Sequence, residues 1–277
     1  MNQSRYQLIA LDIDGTLLNS EKEITPDTEA MVHRAFRAGK QVVLSTGRSF
    51  AELEEILQHF PEMRYGICES GALVFDRELE QPIAVHPIPL DIVCQAAEIA
   101  RQRDVLIHIF QKGRPVISRH QMEQLDAYQI PYFRSMFQRY SLQVTDALDY
   151  CLALPAPPSK KSICITTRPR SARSPSPCSL TCLWSWWTPR KTSLELSATQ
   201  VDKGRGLREL CAHLNIPVET TIAVGDSFND AAILRAAGLA VGMGNAAEPV
   251  RRLCDVIVRD CDHDGVAEAI RTHLLTE

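Results

Sequence analysis

The sequence predicts an α/β protein: a Rossmann-like parallel sheet core flanked by helices, with an inserted α+β cap domain. Short apolar runs alternate with helical patterns at both ends of the chain, which is typical of βαβ units. Between about residues 82 and 190 prolines and antiparallel-strand signals replace that alternation. The 277 residues exceed a minimal domain and suit one large or two modest domains.

The first strand and helix have clear boundaries in the sequence. "YQLIALDID" is a short apolar run typical of a buried parallel strand, and it ends at Asp12 and Asp14. The helix that follows has Thr25 as a candidate N-cap, Pro26 in its first turn and Gly39 just beyond its end. "KQVVLSTGRS" then predicts a second buried strand, "SFAELEEILQHF" a helix with one apolar face, and "YGICESGALVFD" a continuation of the pattern.

The same alternation returns after residue 200. Helix and strand patterns follow one another through "DKGRGLRELCAHLNI", "TTIAVGDS", "FNDAAILRAAG", "LAVGMGN", "AAEPVRRLC" and "DVIVRD". In the middle of the chain, "DIVCQAAEIARQR" predicts a helix and "DVLIHIFQKGRPVIS" two antiparallel strands with a glycine-containing turn. We therefore expect a discontinuous core, residues 1–84 and 191–277, and a cap, residues 85–190.

Part of the expected cap has an anomalous composition, at about residues 155–192. The 45 residues between Asp149 and Glu195 contain no acidic residue, yet they hold all three tryptophans and seven of the sixteen prolines. A basic nucleic-acid-binding loop, a disordered linker and a local reading-frame shift are the three hypotheses. We favour a frame shift that begins between about Pro155 and Arg168 and ends near Thr192. Sequencing the source DNA tests it, because a compensating insertion and deletion must flank the stretch.

The bulk composition excludes several classes of protein. A formal net charge of −4 gives no general attraction to nucleic acid or to an anionic membrane. The sequence has no apolar run of about 18 residues and no signal-peptide core at its start, so we expect a cytoplasmic protein. Nine cysteines without a C-x-x-C pair indicate reduced thiols, and Cys178 and Cys182 lack a second pair at zinc-ligand spacing.

Two aspartates end the first predicted strand. Asp12 and Asp14 share a face of that strand, because residues i and i+2 point the same way. Two carboxylates held so close repel each other and raise each other's pKa. A cation such as Mg²⁺, which prefers carboxylate oxygens and water, relieves that repulsion. Asp226, Asn229 and Asp230 follow the later strand "TIAVG" and add further oxygens at the same edge of the sheet.

Other polar groups complete a candidate anion site. Ser45, Thr46, Gly47 and Arg48 end the second strand and offer a hydroxyl and backbone donors. Lys203 begins a helix, where the macrodipole does not favour a cation, so it is better explained by a nearby anion. Together these groups predict phosphate chemistry, in which a carboxylate forms an aspartyl-phosphate and a neighbouring acid handles the proton.

The four motifs "LDIDGTL", "STGR", "VDKG" and "GDSFND" resemble, in that order, those of haloacid dehalogenase-like phosphatases. The resemblance covers roughly residues 6–85 and 194–272. The insertion after "STGR" and "GALVFD", and the closing "GMGNAAEPVRRLCDVIVRDCDHDGVAEAI", are similar to the Cof-type subgroup with a type IIB cap. That subgroup typically hydrolyses sugar phosphates and other small phosphate esters with Mg²⁺. The chain departs from it at Ser70–Gly71, where Asn-Gly is usual, and in the anomalous end of the cap.

The resemblance implies roles for individual residues. Asp12 would be the nucleophile and Asp14 the general acid/base. Asp12, the backbone carbonyl of Asp14 and Asp226 would be the Mg²⁺ ligands, and Asp230 would support that site. The implied phosphate-binding groups are Ser45, Thr46, Gly47, Lys203, Asn229 and the backbone N–H of Ile13.

Alternative hypotheses remain open on the sequence alone. A phosphomutase or phosphotransferase shares the aspartyl-phosphate chemistry, and a catalytically impaired member would act as a binding module. The stretch from Gly242 to Ala247, with Asp260 beyond it, is a near match to a dinucleotide-binding fingerprint, although Pro249 interrupts its helix. Asp262, His263 and Asp264 suggest either a metal or catalytic site or, as we favour, a solvated turn before "GVAEAI". Oligomeric state is left undetermined.

Overall fold

The computed structural model describes residues 4–102, 105–128, 134–153, 163–167 and 193–276. These residues fall into two compact units. The first takes in the chain up to Arg48, Leu53–Ala84 and the chain from Asp202 onward. The second takes in Ser49–Glu52 and the described part of Val85–Val201.

Strands and helices alternate along the described chain. The strands are β1 (Leu8–Leu11), β2 (Gln41–Ser45), β3 (Tyr65–Cys68), β4 (Leu73–Asp76), β5 (Gln81–Val85), β6 (Val105–Gln111), β7 (Arg114–Ser118), β8 (Leu142–Val144), β9 (Ile163–Thr167), β10 (Ser193–Leu196), β11 (Thr221–Gly225), β12 (Leu239–Gly242) and β13 (Val256–Ile257). The α-helices are α1 (Pro26–Arg37), α2 (Glu54–His59), α3 (Leu90–Arg101), α4 (Arg119–Glu123), α5 (Arg134–Tyr140), α6 (Ala147–Leu152), α7 (Lys203–Leu214), α8 (Ala231–Ala236), α9 (Glu248–Arg251) and α10 (Gly265–Ala269).

The first unit is built on an eight-stranded sheet in the order β13-β12-β11-β1-β2-β3-β4-β5. All pairs from β13 to β3 are parallel. The central strand β1 is buried along its whole length, as expected for a parallel strand covered by helices on both faces. This arrangement confirms the predicted α/β class with a parallel core sheet.

The second unit contains a five-stranded sheet in the order β10-β9-β6-β7-β8. Strands β6 and β7 are antiparallel neighbours, as their sequence predicts. Lys112 and Gly113 join them, both with positive φ (49° and 73°), the conformation that a tight hairpin turn requires.

The ends of helix α1 match the sequence prediction. The Thr25 hydroxyl accepts a hydrogen bond from the Thr28 N–H, which satisfies one of the free donors of the first turn. Pro26 occupies the start of the helix, and Gly39 follows its end with a φ of 73°.

The sheet differs from the prediction at one edge. β3 and β4 form an antiparallel hairpin, so the segment "YGICESGALVFD" turns back on itself and the sheet is mixed. Glu69, Ser70 and Gly71 all have positive φ (52°, 49° and 95°), which reverses the chain in three residues. The expected strand "DVIVRD" is also shorter than predicted, since only Val256 and Ile257 pair with β12.

Most of the compositionally anomalous stretch, including Cys178, Cys182 and the tryptophans, lies outside the described residues. The three hypotheses for it, and the domain boundaries set beside it, therefore stay predictions. Within the residues that the structure describes, no helix combines the length and apolar character needed to cross a bilayer.

Candidate active site

The carboxyl ends of three neighbouring strands bring the predicted acids together. β1 lies between β2 and β11, with Leu11 opposite Leu44 on one side and Val224 on the other. Asp12 is the next residue after β1, and its backbone N–H donates to the Val224 carbonyl at 3.0 Å. Because the three strands end at the same level, Asp12 lies beside the segments that follow β2 and β11.

A lysine joins two of the predicted acids. The Lys203 Nζ atom lies 2.6 Å from Asp12 Oδ1 and 2.6 Å from Asp230 Oδ1. Lys203 and Asp230 are fully buried and Asp12 is 5% exposed. The Lys203 ammonium is therefore a charge-assisted donor to both carboxylates, which explains a cation in the first turn of α7.

Asp230 also fixes the loop that carries Asp226. Its Oδ2 atom accepts hydrogen bonds from the backbone N–H groups of Asp226 (3.2 Å) and Ser227 (3.1 Å). One carboxylate thus contacts Lys203 on one side and the loop after β11 on the other.

Asp226 faces the turn that follows Asp14. Its carboxylate accepts from the Thr16 hydroxyl at 3.5 Å. A Cβ atom at Gly15 would lie 2.7 Å from Asp226 Oδ2, and Gly15 has a φ of 82°. Gly15 is therefore required both by its backbone conformation and by the close approach of Asp226.

Three of these carboxylates can converge on a single ion. Asp12, Asp226 and Asp230 each place one ligand oxygen within 4.8 Å of the others. Burial raises the pKa of Asp12 to about 8, with Asp230 adding to the effect and Lys203 only partly offsetting it. Burial and Asp230 likewise raise the pKa of Asp226 to about 6. Carboxylates crowded in this way, with oxygen donors only, fit a hard divalent cation such as Mg²⁺.

Asp14 lies in a different electrostatic environment. Arg48 donates to both of its carboxylate oxygens at 2.8 to 3.0 Å, and Lys22 Nζ lies 3.2 Å from Oδ1. Burial alone would raise the pKa of Asp14, but the two cations outweigh it and the pKa falls below its usual value. Two neighbouring acids, Asp12 and Asp14, therefore have pKa values shifted in opposite directions.

The predicted phosphate-binding residues surround this edge of the sheet. Thr46 is buried, and its hydroxyl accepts from the Arg48 N–H at 3.1 Å. The Ser45 Oγ and Asn229 Oδ1 atoms are buried and have no hydrogen-bond partner among the described residues. Ile13 is buried beside Asp12, and Gly47 lies next to Ser70. Among the described residues of this group, only Lys203 has a side chain that hydrogen-bonds directly to the acids.

The turn between β3 and β4 packs against two of these segments. The N–H groups of Glu69 and Ser70 donate to the carbonyls of Arg48 and Thr46, both at 2.9 Å. A Cβ atom at Gly71 would lie 2.0 Å from the Asp202 carbonyl, so only glycine allows this approach to the start of α7. The turn in which this chain has Ser-Gly instead of Asn-Gly thus supports both Thr46 and the helix that begins at Lys203.

Sequence reasoning missed Arg48 and Asn245 as side chains of the site. The sequence assigns Arg48 only a backbone donor after β2, although a cation at a strand end close to two acids is a signal for a side-chain contact with them. Asn245 follows β12 at the same edge, and its Nδ2 donates to the Gly15 carbonyl at 2.8 Å and to Asp226 Oδ2 at 3.4 Å.

The two glycines of the near-dinucleotide fingerprint have a packing explanation. A Cβ atom at Gly242 would lie 2.7 Å from Cys254 Sγ, and one at Gly244 2.9 Å from the Asp260 N atom. Cys261–His263 form a short 3₁₀ helix ahead of α10, in which Asp262 and His263 are exposed. There, Asp262 accepts from the Ser20 N–H at 2.7 Å and Asp264 from the Thr25 hydroxyl at 2.5 Å.

Comparison with known proteins identifies the family. A family model described as haloacid dehalogenase-like hydrolase matches residues 9–270, nearly the whole chain. The chain belongs to this family. The match spans all four motifs and the insertion between them, as the resemblance implied.

Two curated relatives of this haloacid dehalogenase-like chain are named as phosphatases. It is 28% identical over 295 residues to phosphatase YwpJ of Bacillus subtilis (strain 168), covering 97% of this chain and all of the relative. It is 25% identical over 280 residues to pyridoxal phosphate phosphatase YbhA of Escherichia coli (strain K12), covering 97% and 99%. The prediction of a haloacid dehalogenase-like phosphatase, a phosphoric monoester hydrolase, is confirmed.

Solved structures agree with the fold. A haloacid dehalogenase-like hydrolase from Bacteroides thetaiotaomicron has a TM-score of 0.76 at 26% identity, covering 96% of this chain and 98% of that one. The subclass IIB sugar phosphatase BT4131 has a TM-score of 0.78 at 24% identity, covering 95% and 97%. At that identity the second comparison shows the fold alone, and it is the fold expected of a Cof-type member.

Proposed function

We propose that this chain is a Mg²⁺-dependent phosphatase of small phosphate monoesters, such as sugar phosphates, that forms an aspartyl-phosphate on Asp12. The observation that carries the proposal is the arrangement of Asp12, Asp226 and Asp230 at one edge of the sheet. Lys203 donates hydrogen bonds to two of these acids, Asp12 and Asp230. Each acid follows a strand or lies one helical turn beyond it, at the edge where ligands of α/β sheets bind.

Asp12 is the group suited to attack. Its carboxylate oxygen forms a bond to the phosphorus atom while the bond from phosphorus to the ester oxygen breaks. Lys203, 2.6 Å from Asp12, supplies positive charge beside the phosphoryl group and the nucleophile. Ser45, Thr46, Gly47, Asn229 and the Ile13 N–H are the proposed donors to the phosphoryl oxygens.

Asp14 is the group suited to move the proton. In the first half-reaction it gives a proton to the departing ester oxygen, and in the second it takes one from the water that attacks the aspartyl-phosphate. The contacts from Arg48 and Lys22 favour its charged form, which suits the second role. In the first role Asp14 is protonated on one oxygen, and the Arg48 contact to the other oxygen still orients the carboxyl group.

Asp12, Asp226 and the backbone carbonyl of Asp14 are the proposed Mg²⁺ ligands, and Asp230 supports them. When bound, Mg²⁺ supplies charge neutralisation and orients a phosphate oxygen. The cytoplasmic location, the lack of nucleic-acid and membrane partners, and the cap boundaries at 85 and 190 remain predictions from the sequence.

Trapping the covalent intermediate tests the proposal. Protein mixed with ³²P-labelled sugar phosphate and Mg²⁺ is quenched in acid, reduced with borohydride and digested, because borohydride converts an aspartyl-phosphate to homoserine. We expect labelled protein after the quench and homoserine at position 12 after reduction. Conversion at another aspartate, or phosphate release with no labelled protein in the steady state or in single-turnover mixing, would contradict the assignment of Asp12.

A further inference from the structure

Asn245 contacts three segments of the first unit with one side chain. Its Nδ2 atom donates to the Gly15 carbonyl at 2.8 Å and to Asp226 Oδ2 at 3.4 Å. Its Oδ1 atom accepts from the Cys261 N–H at 3.1 Å. The amide therefore connects the turn after Asp14, the loop after β11 and the turn before α10.

These partners leave one possible orientation for the amide. The Gly15 carbonyl and the Asp226 carboxylate only accept hydrogen bonds, and the Cys261 N–H only donates. The Nδ2 group has two N–H donors, enough for both acceptors. Rotating the amide by 180° would place an oxygen against two acceptors, so the network itself fixes the orientation.

The turn before α10, which Asn245 contacts through Cys261, also accepts hydrogen bonds from the chain between Asp14 and α1. Asp262 accepts from the Ser20 N–H at 2.7 Å, and Asp264 accepts from the Thr25 hydroxyl at 2.5 Å. Both donors lie between Asp14 and helix α1. Asn245 therefore connects Gly15 and Asp226 to the turn before α10, and that turn is itself hydrogen-bonded to the chain that follows Asp14.

We propose that Asn245 is a positioning residue that holds Asp226 and the Gly15 turn in the geometry that binds Mg²⁺. The inference rests on the proposed function, since it assigns Asp226 to the metal site. Apart from Asn245, the Asp226 carboxylate interacts with the hydroxyls of Thr16, at the long distance of 3.5 Å, and of Ser227, which belongs to the same loop as Asp226. Outer groups that orient a ligating carboxylate change metal affinity about 10- to 100-fold when removed.

The test measures Mg²⁺ binding without substrate. Calorimetric titration gives the Mg²⁺ dissociation constant of wild type, Asn245→Ala, Asn245→Gln and a control, Glu248→Ala. Glu248 is an exposed neighbour whose described contact is an ion pair with Arg252, so its loss reports only a general surface effect. Asn245→Gln keeps an uncharged amide but moves it by one methylene, which alters the contact without adding charge. Each variant is titrated well below its own unfolding temperature.

We expect Asn245→Ala to weaken Mg²⁺ binding about tenfold, Asn245→Gln to weaken it by a smaller factor, and Glu248→Ala to leave it within about twofold. A kcat recovered at high Mg²⁺ in Asn245→Ala would support the same role. Mg²⁺ affinity of both Asn245 variants equal to wild type would overturn it while leaving the proposed function intact. Wild-type protein that binds no Mg²⁺ would instead overturn the proposed function, and this inference with it.

Discussion

Lys203 places its ammonium 2.6 Å from Asp12 in a position with no solvent exposure. The same ammonium reaches Asp230, so its removal leaves two buried carboxylates without their shared cation. We expect Lys203→Ala to lower kcat/KM about 10²-fold, comparable to losing one transition-state donor. The free energy of unfolding should fall by about 3–5 kcal/mol, as for other broken buried ion pairs. Steady-state kinetics and urea unfolding measure the two effects.

Lys40 provides a matched control for that substitution. Its ammonium donates to the backbone carbonyls of Ser4 and Tyr6 and contacts no acid of the site in the described structure. Lys40→Ala should keep kcat/KM within about twofold of wild type. An unchanged kcat/KM in Lys203→Ala would remove Lys203 from the site.

Replacing Arg48 is expected to slow hydrolysis by a factor that depends on the leaving group of the substrate. Its bidentate contact orients Asp14, whose proton a poor leaving group needs. Arg48→Ala should therefore slow hydrolysis of an alkyl phosphate by at least about tenfold more than that of p-nitrophenyl phosphate, because nitrophenolate leaves without protonation. General acid–base catalysis contributes at least about 10²-fold to the rate, and a tenfold difference corresponds to a partial loss of that contribution. The measurement is kcat/KM on both esters.

Arg64 gives the corresponding control, because it makes the same kind of bidentate contact with Asp76. Arg64→Ala should change both rates by the same factor. Equal slowing of both esters in Arg48→Ala would show that Arg48 does not act through the proton donor.

Comparing substitutions at Gly15 and Gly39 separates the effect of a strained backbone conformation from the effect of contact with the site. Both have positive φ (82° and 73°), but a Cβ atom at Gly15 would meet Asp226, whereas one at Gly39 would have nothing within 4 Å. Gly39→Ala should cost about 1–2 kcal/mol of stability and no activity. Gly15→Ala should cost as much stability and also most of the kcat. Thermal unfolding and initial rates test this, and full activity in Gly15→Ala would contradict the close packing described.

The raised pKa values of Asp12 and Asp226 predict how pH affects the metal-free protein. Both groups bind protons more tightly when folded, with pKa values of about 8 and about 6. The stability that they contribute is therefore present at low pH and is lost as pH rises from about 4 to 8. We expect Asp12→Asn to gain in Tm relative to wild type as pH rises through this window, in the presence of EDTA.

Mg²⁺ should oppose the loss of stability that the metal-free protein shows as pH rises. Its binding requires deprotonated carboxylates, so it should raise the Tm of wild type more at pH 8 than at pH 5. Thermal unfolding of wild type and Asp12→Asn across this range, with and without Mg²⁺, supplies the comparison. A constant difference between the two proteins at all pH values would show that Asp12 has an ordinary pKa.

The local parts of the fold could be predicted from the sequence because their signals are local. Thr25, Pro26 and Gly39 mark the ends of α1, and the alternation of apolar runs and helices predicts the parallel sheet. The β3–β4 hairpin was missed because its turn contains Glu69 and Ser70 in positive φ, which these residue types seldom adopt. Positive φ at such residues is enforced by tertiary contacts, here those with Thr46, Arg48 and Asp202.

The acids of the site could be predicted because each lies where a strand ends. The position of Lys203 was also informative, since a cation in the first turn of a helix needs a reason. The contacts of Arg48 with Asp14, and of Asn245 with Asp226 and Gly15, join residues that are 19 to 230 positions apart. Such contacts depend on strand order and on side-chain reach, which no local pattern in one sequence records.

Phosphate release from a panel of sugar phosphates, pyridoxal phosphate and p-nitrophenyl phosphate is the decisive measurement for the proposed active site. Wild type and Asp12→Asn are compared, each with Mg²⁺ and with EDTA, after circular dichroism shows that both are folded. We predict release from at least one ester by wild type with Mg²⁺, and none above background by Asp12→Asn or with EDTA. Release by Asp12→Asn at a rate near that of wild type would contradict the role of Asp12, and release that persists in EDTA would contradict the need for Mg²⁺.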